Sequence, residues 1–284
     1  MRLQISFLFA WLSAFQLSAQ PYLDLASVKY QYSPDAGGFR RSFQPNHFTY
    51  SSAVINIPLV FKDSSVLLFG PSAEHWRIWS TALPGLLSLK GIAIPVTFVK
   101  PLNPTWTGTV VLIPRWNGSE TFHFKNDQQI GGAFLLTYKK SSILKYKFGL
   151  YYNREFFGNF FVPMAGIDWK INNRLQLFGV LPGNLVLERK VTNHFYYGAT
   201  FRSITTSYRY GNLKNFVRMD DNQLQAFADM YLTKNIVLNA EAGHSLFRRF
   251  RTGISHAKPK YIVRDKFNDD LLFRLALVYR MRFI

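Results

Sequence analysis

Phe273-Arg274-Leu275-Ala276-Leu277-Val278-Tyr279-Arg280-Met281-Arg282-Phe283 is the stretch whose reading decides the fold. Side chains on a strand alternate between faces with period two. One face here carries Phe273, Leu275, Leu277, Tyr279, Met281 and Phe283, and the other Arg274, Ala276, Val278, Arg280 and Arg282. An apolar, aromatic face backed by arginines suits a wall with lipid on one side and a polar lumen on the other. The expected fold class is therefore all-β, an antiparallel transmembrane β-barrel.

The opposite end of the chain agrees. Met1-Arg2 is a minimal charged region, Leu3 to Leu17 is mostly apolar, and Ser18-Ala19 are small. This pattern predicts a secretory signal peptide over 1–19, cleaved after Ala19, and a barrel over 20–284. The apolar run falls short of the roughly 20 residues that span a bilayer as a helix. The longest later uncharged run, Ser42 to Phe61, holds Pro45, Pro58, Asn46, His47 and Asn56, too polar and too interrupted for a lipid-facing helix. A closed barrel is then the remaining way to satisfy the backbone inside a membrane. A mean hydropathy of −0.03 fits, because alternation dilutes apolar residues. Aromatics make up 17% of the chain, as interfacial girdles require.

Cysteine is absent, which excludes a disulfide scaffold, a zinc-thiolate site and a thiol nucleophile. The formal net charge is +18. On an exported chain without a nucleic-acid motif, that charge points to anionic lipid headgroups or anionic solutes rather than nucleic acid.

Hairpin signals divide the chain into about 14 strands, with 12 as the alternative because 64–90 and 174–191 parse in two ways. Short turns are predicted near Lys62-Asp63-Ser64-Ser65, Pro101-Leu102-Asn103-Pro104, Lys140-Ser141-Ser142, Asn172-Asn173, Thr192-Asn193 and Thr233-Lys234-Asn235. Longer loops are predicted near 34–47, 80–90, 116–130, 154–162, 211–222 and 251–268. Pro182-Gly183-Asn184 is a short turn where a long loop is due. An even strand count places both ends on the periplasmic side. Pro58 and Pro95 fall within strands and should each mark a bulge or break.

Alternation places Lys145, Lys147, Asp168, Lys170, Asp229, Glu241, Arg274, Arg280 and Arg282 on the lumen face. Two readings stay open for this set. One is an internal salt-bridge network filling a narrow barrel, since buried charges are normally paired. The other is an anion-selective constriction.

Candidate enzyme chemistry is thin. Gly243-His244-Ser245 invites comparison with outer-membrane phospholipase A and lipid A deacylase, which use a His and a Ser on the outer wall. The deacylase spacing puts both on one face, so imidazole can take the hydroxyl proton. Here the two are adjacent and face opposite ways, so His244 reads as an interfacial side chain. The other histidines have no metal-ligand spacing, phosphate-binding glycine patterns are missing, and no cofactor is expected. Arg248, Arg249, Arg251, Lys258 and Lys260 crowd one predicted loop and its stem, where lipopolysaccharide phosphates would be natural counter-charges. Tyr279, Met281 and Phe283 resemble the terminal signal that outer-membrane barrels show to their insertion machinery.

The segment from Phe148 to Arg202 carries a wider resemblance. It reads Phe156-Phe157-Gly158, Val162-Pro163-Met164-Ala165-Gly166-Ile167-Asp168-Trp169, Asn172-Asn173, Leu181-Pro182-Gly183-Asn184 and Tyr196-Tyr197-Gly198. This order is similar to an outer-membrane barrel family of unknown function in Gram-negative bacteria. The resemblance implies a barrel and an outer-membrane address, and brings no catalytic residues. The expectation is a non-enzymatic pore or structural barrel, with small anionic solutes as candidate cargo. An accessory subunit of a larger outer-membrane complex and a lipid-modifying enzyme are the alternatives.

Overall fold

The structure is a computed structural model that describes residues 21–34, 46–80, 86–119, 123–211, 214–255, 260–265 and 269–283. The predicted signal peptide and Lys258 lie outside these residues, as does the Lys260 side chain. Eighteen strand segments form one sheet, and four pairs of segments continue one another. The result is a closed antiparallel barrel of 14 strands. In chain order these are β1 (Tyr22–Ser33), β2 (Asn46–Ile55 with Ile57–Val60), β3 (Val66–Phe69 with Ser72–Ser80), β4 (Leu86–Ala93 with Val96–Pro101) and β5 (Trp106–Gly118). They continue as β6 (Gln128–Lys139), β7 (Leu144–Glu155), β8 (Gly158–Lys170), β9 (Leu175–Leu181) and β10 (Asn184–Lys190). The last four are β11 (Phe195–Arg209), β12 (Asn215–Tyr231), β13 (Ile236–Ile254) and β14 (Lys260–Asp265 with Leu271–Arg282).

Each strand pairs with its neighbour in sequence, and β14 pairs with both β13 and β1. The β1–β14 ladder sets Tyr30 against Leu275 and Tyr32 against Phe273, all facing outward. Outer-face residues such as Val28, Val110, Phe134, Phe148, Leu224 and Leu277 are exposed and apolar. The intervening residues of β14, Leu272, Arg274, Ala276, Val278 and Arg280, are buried. An apolar outside around a closed ladder is what a lipid-embedded barrel requires. The protein is an outer-membrane β-barrel.

All six turns at one rim close by the same local chemistry. Asp63, Asn103, Ser141, Asn172, Thr192 and Thr233 each accept a hydrogen bond, through a side-chain oxygen, from the backbone N–H two residues on, at 2.8 to 3.4 Å. Short polar side chains mimic a backbone turn in this way. Ser65 donates to Asp63 from both N and Oγ, which holds that carboxyl below its usual range. The support given to this turn is therefore present above the ordinary carboxylate pKa and fades as pH falls through the lowered value.

The opposite rim departs from expectation in two places. The predicted loop over 154–162 is a tight hairpin in which Glu155 pairs with Gly158 and Phe156-Phe157 form the whole connection. Phe156 is buried beneath the Arg209 guanidinium, so the aromatic pair packs instead of looping out. The predicted loop over 211–222 is mostly strand, because β12 begins at Asn215. Of the two prolines expected to mark breaks, Pro95 does so at Ile94-Pro95, whereas Pro58 stays in register with Leu68 and the strand breaks two residues earlier, at Asn56; a third break lies at Gly70-Pro71. The three breaks lie side by side: Ile55 N donates to Pro71 O at 3.0 Å and Gly70 N to Pro95 O at 2.8 Å.

Gly179, in β9, has φ of 138°, and a Cβ there would lie 2.2 Å from the Asn184 carbonyl oxygen. A side chain in that region costs about 1–3 kcal/mol before any clash is counted. Gly179→Val should therefore lower the temperature at which the compact, fast-migrating band disappears in heat-modifiable gel mobility, whereas Gly183→Ala should leave it nearly unchanged.

Candidate functional site in the barrel lumen

At the turn rim, inward arginines meet carboxylates drawn from several strands. Arg280 donates to Asp24 Oδ1 and to Asp229 Oδ2, each at 2.6 Å, and Asn239 donates to the other Asp229 oxygen at 2.7 Å. Arg282 is bidentate to Glu188 at 2.8 and 2.9 Å and also donates to the Tyr231 hydroxyl. Arg280 lies 3.6 Å from the centre of the Tyr22 ring, and Arg282 lies 3.9 Å from that of Tyr196. Tyr22 also meets Phe178 of β9 edge-on at 5.6 Å, a contact between walls that are not neighbours in the sheet. The lumen is narrowed there.

One layer higher, Glu241 accepts from Arg202 through both oxygens, at 2.5 and 2.8 Å, and from Arg274 at 3.3 Å. Arg274 also donates to Gln31 and to Gln223. Lys29 faces this group within the fields of Asp24, Arg202, Arg274 and Glu241, without a hydrogen-bonded partner among the described residues. On the far wall Lys147 donates to Asp168 at 2.6 Å. Lys145 stands beside that pair, and Lys170 is exposed at the rim.

The loop end is bridged. Thr206, Ser207 and Tyr208 are consecutive in β11, yet their exposures are 6%, 0% and 0%. Because alternate residues face opposite ways, both sides of this segment must be covered. Tyr208 donates to Glu74 of β3 at 2.5 Å and packs with Phe48, Trp76, Leu89, Met219 and Phe250. On the other side, Ser207 Oγ donates to Glu155 at 2.6 Å and accepts from the Phe156 N–H, while Asn117 Nδ2 donates to Ser207 O. Gln129 donates to both Glu155 and Ser207 Oγ, and Arg115 pairs with Glu155. The tip of the β11–β12 hairpin thus leans across the mouth, with Cα atoms of β11 within 8 Å of β4 and β5.

Arg248 requires a correction. The predicted basic loop is largely β13, and a bulge between its pairings with Asn222 and Asp220 puts Phe247 in a left-handed conformation with φ of 57°. The extra residue reverses the alternation. Arg248 therefore points inward, donating to Asp221 at 3.3 Å and to Ser33 at 3.0 Å, and is not available to lipid phosphates. Arg249 is exposed, whereas Arg251 pairs with Asp220. Tyr279 is exposed on the outer face, and Met281 and Phe283 are half-buried at the rim.

His244 is exposed, while the Ser245 side chain is buried and bonded to the Asp270 backbone, so the two form no nucleophile–base pair. No cluster of three metal-ligating side chains occurs among the described residues. Tyr22, Glu74, Asn117, Gln129, Glu155 and Ser207 were not singled out from the sequence. Their signal is weak, because polar residues at inward positions do not announce which distant strand they meet.

Residues 86–280 match the family model described as a domain of unknown function (DUF6268). A comparison with the curated proteins found no match. Among solved structures, the chain resembles an outer-membrane channel from Pseudomonas putida F1, at 14% identity and a TM-score of 0.43, covering 89% of this chain and 94% of that one. It also resembles the CymD monoaromatic hydrocarbon channel, at 11% identity and a TM-score of 0.39, covering 95% and 94%. The NanC porin is similar at 8% identity and a TM-score of 0.39, covering 90% and 100%.

Removing one member of a buried charge network strands its partners, typically at about 3–5 kcal/mol. Arg280→Met should therefore lower the urea midpoint of the refolded barrel, and Arg280→Met combined with Asp229→Asn should recover part of the loss.

Proposed function

The chain belongs to the family of that domain of unknown function, and from the lumen geometry we propose that it is a non-enzymatic outer-membrane pore for small solutes, held constricted by its own hairpin. The observation that carries this reading is the bridge of Ser207 and Tyr208 across the mouth. A structural barrel has no need of a polar, non-adjacent contact that can be released without breaking the wall. Between the bridge and the Lys147–Asp168 pair, inward residues of β5, β6 and β8 such as Thr109, Val111, Leu135, Val162 and Met164 are half-buried and uncharged. Inward yet only half-buried, these side chains keep access to the lumen.

The preferred solutes on this reading are small anions. Most inward arginines are neutralised, so the preference is weak and rests on Lys29 and Lys145, with Lys170 at the rim. Lipopolysaccharide phosphates would meet the exposed Arg249, and the insertion machinery would meet Tyr279, Met281 and Phe283. The separation of His244 from Ser245 supports the absence of lipid-ester chemistry.

Planar-bilayer recording in a salt gradient tests the proposal. The native barrel should give small current steps with a reversal potential on the anion side. Ser207→Ala and Tyr208→Phe should each raise the conductance, and the pair should raise it further, because each removes one attachment of the bridge. Cation preference would remove Lys29 and Lys145 as the selective groups. Silence from the native barrel and from every bridge variant, with all of them folded, would overturn the pore and favour an accessory subunit of a larger complex.

A further inference from the structure

The wall of this barrel is too low at one place. β9 and β10 hold seven residues each, joined by Pro182-Gly183, while β8 has 13 and β11 has 15. A membrane-crossing strand needs about 9–11 residues at its usual tilt. Seven residues tilted near 45° rise only about 16 Å, against an apolar belt of about 25 Å.

The pairing shows what this shortfall leaves behind. β9 pairs with β8 only over Ala165–Lys170, and β10 pairs with β11 only over Tyr196–Arg202. Among the described residues, 158–164 of β8 and 203–209 of β11 therefore have no strand partner on their facing sides. Ser203 N turns instead to the carbonyls of Pro182 and Gly183 at 3.1 and 3.3 Å. Above the gap, arginines of β11 and β12 cover the β7–β8 turn and the start of β8: the Arg209 guanidinium lies 4.3 Å from the Phe156 ring centre, and that of Arg218 lies 3.8 Å from the Phe157 ring centre and 5.8 Å from that of Phe160. The opening is thus bounded on four sides: the Pro182-Gly183 turn below, β8 and β11 at the flanks, and the Arg218–Phe157 contact above.

We infer that this gap is a lateral window through which apolar solutes pass between the lumen and the lipid. The chemistry on both sides suits an uncharged, apolar passenger. On the lumen side, Val162 and Met164 lead from the uncharged middle of the interior. On the lipid side, Phe161 is exposed and Phe201 half-buried at the flanks. The ion pairs of the flanking strands, Arg202 of β11 with Glu241 and Asp168 of β8 with Lys147, lie below the gap in the paired part of the wall, so a neutral molecule reaches the window without displacing them. The bridged mouth above makes a sideways exit the direct route. The inference rests on the barrel passing solutes, and names a second class of solute with its own exit.

The chain has no cysteine, so a paired substitution supplies its only thiols. Phe161→Cys and Thr205→Cys place one thiol on each flank. The barrel carrying both is reconstituted into vesicles with a lipopolysaccharide outer leaflet and treated with a flexible bis-maleimide, or with N-ethylmaleimide as the uncrosslinked control. Uptake of 1-N-phenylnaphthylamine, a neutral aromatic fluorophore, and salt conductance are read on the same samples. The native and control barrels should accelerate uptake over empty vesicles. Crosslinking should return uptake to the empty-vesicle rate while leaving conductance unchanged. Uptake that survives verified crosslinking, or that never exceeds the empty-vesicle rate, overturns the window even if salt current persists. Crosslink-sensitive uptake without salt current keeps the window and discards the axial pore.

Discussion

Pairing of β14 with β1 is the constraint on which the rest depends. In hydrocarbon, an unpaired backbone group costs several kcal/mol, so a sheet in lipid must close on itself. Closure assigns each side chain to the lipid or to the interior, with no third option. Apolar residues take the outside of β14, and Arg274 and Arg280 are left inside, where water is scarce. Those charges must then be met by groups from other strands. Where the ladder falls short, beside β9 and β10, the same rule demands another solution, and Ser203 finds it in the turn carbonyls.

The ion pairs define the shape of the lumen more than they stabilise it. Exchanging a buried pair for apolar side chains is often neutral, whereas losing one partner is costly. Arg282 reaches Glu188 four strands away, and the contact of Tyr22 with Phe178 spans further. Each such link draws two walls together. Apart from Lys145 and the Lys147–Asp168 pair near the turns and Arg115–Glu155 at the bridge, the charges thus gather on the β10–β14 and β1 side, and the middle of the interior at β5, β6 and β8 is left neutral. A lumen with two unlike walls follows from where the carboxylates happen to sit.

Period-two alternation made the fold and its address legible, and the terminal strand alone was enough to separate lipid face from lumen face. The six rim turns were legible because each rests on one short polar residue. Long-range partners were not, since nothing near Ser207 indicates that Glu155 lies opposite. Arg248 shows a second limit: one extra residue at Phe247 reverses every facing beyond it, and no composition marks the bulge. The segment at 154–162 shows a third. Phe156-Phe157-Gly158 reads as a loop tip until Arg209 of β11 and Arg218 of β12 cover its two rings.

The short Pro182-Gly183 connection looked like an exception to the rule of alternating turns, and it accounts for both unusual features of the loop end. Because β10 stops at Asn184, β11 rises past it without a neighbour over residues 203–209. A segment that long, unsupported on one edge, lowers its exposure by leaning inward, where Glu74 and Tyr208 meet on one side and Ser207 and Glu155 on the other. The lean that closes the mouth also leaves the flank of β8 uncovered. Bridge and window are therefore two consequences of one mismatch in strand length. A barrel with a full-height β9–β10 hairpin would have neither.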